Sequence, residues 1–126
     1  MSVPSDCLYS REHEWVRVDG DVATIGITEH AQQQLGEVVF VEGPEVGQVF
    51  DCDDEVGTIE SVKAVAEVYT PVAGEVTETN DGVIDNPEAI NEAPYEAWLL
   101  KIRMSNPSDL DALMSPEAYE EFCNVG

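Results

Sequence analysis

Short apolar runs, alternating with polar residues and broken by turn formers, recur along most of the chain. Trp15-Val-Arg-Val18 and Val22-Ala-Thr-Ile-Gly-Ile27 flank Asp19-Gly20. Two β-rich runs around such a pair predict a hairpin, because Asp and Gly accept the positive φ of a tight turn. Thr28 then offers an N-cap oxygen, Glu29 suits the positive end of a helix, and Gly36 suits its stop. A short helix is expected over Glu29 to Leu35, with Ala31 and Leu35 on one face. Val38-Val-Phe-Val41 is an unbroken apolar run, expected as a strand buried on both faces until Gly43-Pro44 ends it.

Further strands are expected over Val46 to Phe50, Val56 to Glu60, Ala64 to Tyr69 and Glu75 to Thr79, with turns at Asp51-Cys-Asp-Asp54 and Pro71-Val-Ala-Gly74. The run Trp98 to Met104 sends Trp98, Leu100, Ile102 and Met104 inward and Lys101 and Arg103 outward. Trp15 and Trp98 are both expected in the core. Asn106-Pro107 opens a helical piece bearing Leu110, Leu113 and Met114, and Ser115-Pro116 opens another bearing Tyr119 and Phe122. The pattern is mainly β, a small barrel-like or sandwich fold with peripheral helices. With 126 residues, one domain is expected, its β core at about 12–104 and a C-terminal helical segment at about 106–123.

Charge changes the picture more than composition does. Asp and Glu number 27 against 5 Lys and Arg, a formal net charge of −22. No basic surface for phosphates is available, so nucleic acid and anionic membranes are excluded as partners. The acidic residues are scattered, which fits a whole surface adapted to high salt better than an interaction tail. Cys7, Cys52 and Cys123 are odd in number and far apart, neither a disulfide framework nor a zinc motif, and free thiols suggest a reducing cytoplasm. No apolar run is long enough to cross a bilayer and no signal peptide is evident. His13 and His30 have no neighbour at metal-ligand spacing in the sequence; no metal is expected, and His30 is read as a surface or cleft residue. No nucleophile and base pattern supports an enzyme.

Lys63 stands out, because Ser61-Val62-Lys63 separates two strands and places it at or beside the tip of a hairpin. Val62 beside it is an apolar residue where exposure is expected. A plain surface lysine is the ordinary reading of such a position. The surroundings alter that reading: Gly47 precedes Lys63 and Gly74 follows it at a spacing that resembles the lipoyl and biotinyl carrier domains, barrel-sandwich hybrids whose two β halves meet at a modified lysine. Tyr9-Ser-Arg-Glu-His-Glu-Trp15, Gly26-Ile-Thr28, Leu35-Gly36, Glu60-Ser-Val-Lys-Ala64 and Pro71-Val-Ala-Gly74 resemble the glycine cleavage system H-protein family. So do Asn91-Glu-Ala-Pro-Tyr95 and Tyr119-Glu-Glu-Phe122, and the likeness runs from about Leu8 to about Phe122.

That resemblance implies a non-catalytic carrier, expected as a monomer, with lipoic acid in amide linkage on Lys63. A pyridoxal-phosphate glycine decarboxylase would load an aminomethyl group onto a lipoyl sulfur. An aminomethyltransferase would pass the one-carbon unit to tetrahydrofolate, and dihydrolipoyl dehydrogenase would reoxidise the dithiol. Glu60, Ser61, Val62 and Ala64 would present Lys63 to the lipoylating enzyme. Glu14 is expected to line the cleft that shelters the loaded arm and to pair with its ammonium, although carboxylates abound in this chain. Cys52-Asp53 stands where the family usually has Lys-Gly, and Asp is expected to take over the left-handed conformation there. Gly43 replaces a leucine, and Pro94-Tyr-Glu-Ala-Trp98 is a residue short of the family pattern. Rival readings are an H-like protein relaying lipoyl or octanoyl groups and a biotin carrier, although methionines do not flank Lys63. A lipoyl domain of a 2-oxo acid dehydrogenase would carry a Pro/Ala-rich linker, which is absent.

Overall fold

Two hairpins frame the molecule. A computed structural model describes residues 3–125, so the extreme ends of the expected 1–126 unit lie outside it. Strands β2 (Glu14–Asp19) and β3 (Val22–Ile27) pair antiparallel with Asp19 opposite Val22. The turn is therefore Gly20-Asp21, one residue later than Asp19-Gly20. Gly20 has φ +66° and Asp21 does not have a positive φ, the pattern in which glycine takes the first loop position. Helix α1 runs over Glu29–Leu35 as expected, with the Thr28 side chain accepting from the Ala31 N–H and Gly36 closing the other end.

Six strands form one sheet and three another. The larger is ordered β1 (Leu8–Tyr9), β2, β3, β9 (Leu100–Met104), β8 (Gly74–Thr79) and β5 (Val49–Phe50). The smaller is β4 (Val38–Glu42), β6 (Glu55–Ser61) and β7 (Val65–Tyr69). Neither closes into a barrel. Val16, Ile25, Val76 and Ile102 from the larger sheet meet Val41, Val56, Ile59 and Val68 from the smaller in one core, the barrel-sandwich arrangement expected. Strand β9 alternates as its sequence requires: Leu100, Ile102 and Met104 are buried and Arg103 is exposed.

A second, aromatic cluster joins Tyr9, Trp15 and Tyr119, all fully buried, under helix α4 (Pro116–Val125). Tyr9 and Tyr119 stack with ring centroids 4.6 Å apart. The Trp15 indole N–H donates to the Pro94 carbonyl at 2.9 Å. This cluster fastens the C-terminal segment to the start of the chain.

Several expectations fail locally. Strand β4 is not buried on both faces: Val38 and Val41 are buried, but Val39 and Phe40 are exposed. The register against β6 shifts between Val38 and Phe40, and this bulge on an outer strand turns both side chains outward. Strand β5 is two residues long, leaving Val46 exposed. Trp98 lies before β9 and is only half-buried, with Lys101 Nζ 4.9 Å from its ring centroid. Pro107–Ala112 is a 3₁₀ helix on which Leu110 is half-buried. Helices α2 (Asp81–Asp85) and α3 (Ala89–Glu92) and strand β1 had no clear periodic signal, each being five residues or fewer.

Candidate functional site

The β6–β7 hairpin pairs Glu60 with Val65 and leaves Val62, Lys63 and Ala64 as its tip. Ser61 organises the turn. Its N–H donates to the Ala64 carbonyl at 2.8 Å, and its Oγ accepts from the N–H groups of Ala64 at 3.0 Å and Lys63 at 3.3 Å. The Val62 N–H donates to the Glu37 carbonyl at 3.0 Å, tying the tip to the segment after α1. Lys63 is exposed and has no salt bridge among the described residues. Its stem leans on the end of α1: a Cβ added at Gly36 would lie 3.3 Å from Lys63 Cε. Gly36, with φ +80°, both ends the helix and leaves room for the lysine. The local sequence pattern marks it as a helix stop, and the room it leaves for Lys63 is visible only in the fold.

Exposed apolar side chains lie on β4 and on the β6–β7 hairpin. Phe40 pairs with Glu60 and Glu60 with Val65, so the three share one outward face. Val39 and Val62 are exposed as well, so β4 and the β6–β7 hairpin carry four exposed apolar groups, with Glu60 among them.

A cleft of about 250 Å³ opens beside Ala64 and runs between β7 and α1. Ile27, Leu35, Ile59 and Val68 give it apolar walls, and Glu14 lies among its lining residues. Glu14 is only 2% exposed. Its Oε1 accepts from Ser10 Oγ at 2.8 Å and its Oε2 from the Tyr69 N–H at 2.9 Å. Burial pushes the carboxyl up to about 7, while these two donors pull the other way. No local sequence pattern links residues 10, 14 and 69, so Ser10 and Tyr69 emerge as partners of Glu14 only in the fold. The fold thus brings Ala64 and Glu14 to one cleft, while Glu60, Ser61, Val62 and Lys63 belong to the hairpin that precedes Ala64 and are not among the cleft's lining residues.

The turn before β6 behaves as its sequence suggests. Asp53 takes φ +71°, the left-handed conformation expected of it, with its N–H donating to Thr70 at 2.7 Å. Gly43 faces Ile84, whose Cδ1 would lie 3.7 Å from an added Cβ. His30 is half-buried beside His13, their ring centroids 4.3 Å apart, and Cys123 of α4 reaches the same spot. Linear spacing could not reveal this group, because the three residues come from different elements.

Among the described residues no helix is long and apolar enough to cross a membrane. The family model of the glycine cleavage H-protein matches residues 7–125. The chain is 55% identical over 118 residues to the glycine cleavage system H protein of Rubrobacter xylanophilus, covering 93% of this chain and 91% of that one. It is 53% identical over 122 residues to the glycine cleavage system H protein of Staphylococcus saprophyticus, covering 96% and 97%. Its fold matches the crystal structure of a glycine cleavage system H protein from Mycobacterium marinum with a TM-score of 0.89 at 31% identity, over 97% of this chain and 99% of that one. A β carrier fold, an exposed lysine on a braced hairpin tip and this agreement along nearly the whole chain lead to one conclusion: the chain belongs to the glycine cleavage H-protein family, whose members serve glycine cleavage as carriers and not as enzymes.

Proposed function

We propose that Lys63 carries lipoic acid as an amide on Nζ, and that the chain passes the aminomethyl group of glycine from the decarboxylase to the aminomethyltransferase. The observation that carries this reading is the placement of Lys63 at an exposed tip whose neighbour Ala64 opens onto a cleft containing Glu14. Lysine plus a lipoyl chain reaches roughly 14 Å from standard bond lengths, enough to fold back along such a cleft or swing away from it. When bound, the lipoyl group supplies the dithiol redox chemistry.

The remaining roles belong to the protein. Ser61 holds the turn that presents Lys63, and Glu60, Val62 and Ala64 complete the surface read by the lipoylating enzyme. The apolar walls suit the hydrocarbon and ring of the arm. Glu14 stands ready for a cation: an ammonium beside it would favour the ionised carboxylate and offset the burial that now opposes charge. The same surface would serve the decarboxylase, the aminomethyltransferase and dihydrolipoyl dehydrogenase in turn, with the chain acting as a monomeric, one-domain carrier in the cytoplasm. Its uniformly acidic surface is read as suiting high ionic strength.

The test is isotope exchange. Lipoylated protein mixed with glycine decarboxylase, glycine and labelled bicarbonate should move label into glycine, at a rate that saturates with carrier concentration. Lys63→Arg keeps the charge but takes no lipoyl amide, and should be silent. Equal exchange with Lys63→Arg, or a modification mapped by mass to Lys101, would overturn the assignment.

A further inference from the structure

His13, His30 and Cys123 come together from the loop before β2, the first turn of α1 and the last turns of α4. One ligand atom from each lies within 4.8 Å of the others. They line a hollow of about 140 Å³ with Gln34 and Phe122. Three features of the packing prepare this group. First, His13 sits at φ +67°, an uncommon conformation for a residue with a side chain. Its N–H donates to the Ser10 carbonyl at 3.2 Å and its carbonyl accepts from the Thr28 N–H at 3.0 Å, so the backbone is fixed on both sides. Second, His13 Nδ1 pairs with Tyr119 Oη at 2.7 Å, and Tyr119 Oη with Thr28 Oγ1 at 2.7 Å. With Tyr119 donating to Thr28, Nδ1 carries the His13 proton and Nε2 presents its lone pair, the arrangement of a metal-bound imidazole held by an outer hydrogen bond. Third, His30 Nδ1 is buried with no hydrogen-bond partner among the described residues. A buried ring nitrogen without a partner is costly, and a cation is the kind of partner it lacks.

We propose that His13, His30 and Cys123 bind one thiophilic divalent cation of the zinc class, with the remaining coordination position open to solvent. Two imidazoles and a thiolate form the donor set that such ions prefer. Zinc bond lengths place neighbouring ligand atoms roughly 3.3–3.6 Å apart, so the group closes with movements of about 1 Å. On binding, the Cys123 thiol loses its proton to solvent as the sulfur–metal bond forms, and no redox step is involved. The net charge of −22 draws cations toward the surface. A bound ion ties α4 to α1. Because His13 and Gln34 line both this hollow and the cleft beside Ala64, the ion would sit against the outer wall of that cleft.

Cobalt(II) is the probe. Titrated into the reduced full-length protein, it should bind one equivalent and develop a near-ultraviolet thiolate-to-cobalt band with the visible bands of a four-coordinate ion, and excess zinc should bleach both. Cys123→Ser should abolish the thiolate band, and His30→Ala should weaken binding at least tenfold. Cys52→Ser, which alters an exposed thiol elsewhere, should leave the spectrum unchanged. Zinc-edge X-ray absorption on the unmutated protein reads the site without a variant and should find one sulfur and two imidazoles. A shell of oxygens alone would mean adventitious binding by surface carboxylates and would overturn the proposal. So would a thiolate band that survives Cys123→Ser or is lost in Cys52→Ser.

Discussion

Thr28 joins the N-terminus of α1 to the aromatic cluster, and Thr28→Val tests how much that junction contributes. Thr28 is fully buried, and valine has nearly its shape, so no cavity opens. Two interactions are lost. The N-cap bond from the Ala31 N–H at 3.3 Å contributes about 1 kcal/mol. The bond between Thr28 Oγ1 and Tyr119 Oη at 2.7 Å contributes about another 1 kcal/mol. The expected cost is about 2 kcal/mol, or about 6–10 °C in Tm for a chain of this size. Tyr119→Phe should cost about 2 kcal/mol as well, through its bonds to Thr28 and His13. Each variant removes one partner of the same hydrogen bond, so the double variant should cost about 3 kcal/mol, a coupling of about 1 kcal/mol. Urea denaturation followed by circular dichroism measures all four proteins, with the slope m expected to stay constant. Strictly additive costs would refute the shared hydrogen bond, and a Thr28→Val cost below about 0.5 kcal/mol would refute the capping role. Function should follow stability here, because α1 carries Ala31 and Leu35 in the cleft wall and ends at Gly36 beneath Lys63.

Glu14 has a folded pKa of about 7 against an ordinary 4.5, so the fold favours its protonated form. Its stabilising effect is complete below about pH 4.5 and is lost as pH rises through about 7. Relative to Glu14→Gln, which does not titrate, the wild type should therefore lose up to about 3 kcal/mol across that window, and a flat difference would show that the carboxyl is unperturbed. Asp53→Gly should raise stability by about 0.5–1 kcal/mol, because glycine holds φ +71° without the side-chain penalty that aspartate bears. A lower melting temperature for that variant would show that the aspartate side chain contributes more than the strain removes.

Helix α1 was legible to the residue because its cap, face and stop are all local signals: Thr28, Leu35 and Gly36. The hairpin presenting Lys63 was legible for the same reason, since two β-rich runs leave only a few residues between them. The β4 run departs from its sequence pattern because apolar content cannot report a bulge. Whether Val39 and Phe40 turn outward depends on the register with β6, a partner across the chain. A segment likeness points to Glu14, but its burial and its partners Ser10 and Tyr69 follow from strand placement alone. The His13, His30 and Cys123 group was invisible in sequence because residue 123 enters only when α4 packs over Tyr9 and Trp15.

The bulge in β4 has a consequence for colloidal behaviour. Strand β4 borders the smaller sheet and is paired on one side only, by β6. An outer strand carrying exposed Val39 and Phe40 is the kind of edge on which a second copy can add a strand and start a fibril. Here the ladder is out of step between Val38 and Phe40, so a straight incoming strand finds no continuous register. The Val38 N–H is already occupied by Asn91 Oδ1 at 2.8 Å. A second copy also approaches with a like charge of −22. The exposed apolar groups can therefore stay open to transient partners while the strand edge beside them resists self-assembly, a protection that weakens as salt screens the charge and leaves the bulge as the chief barrier.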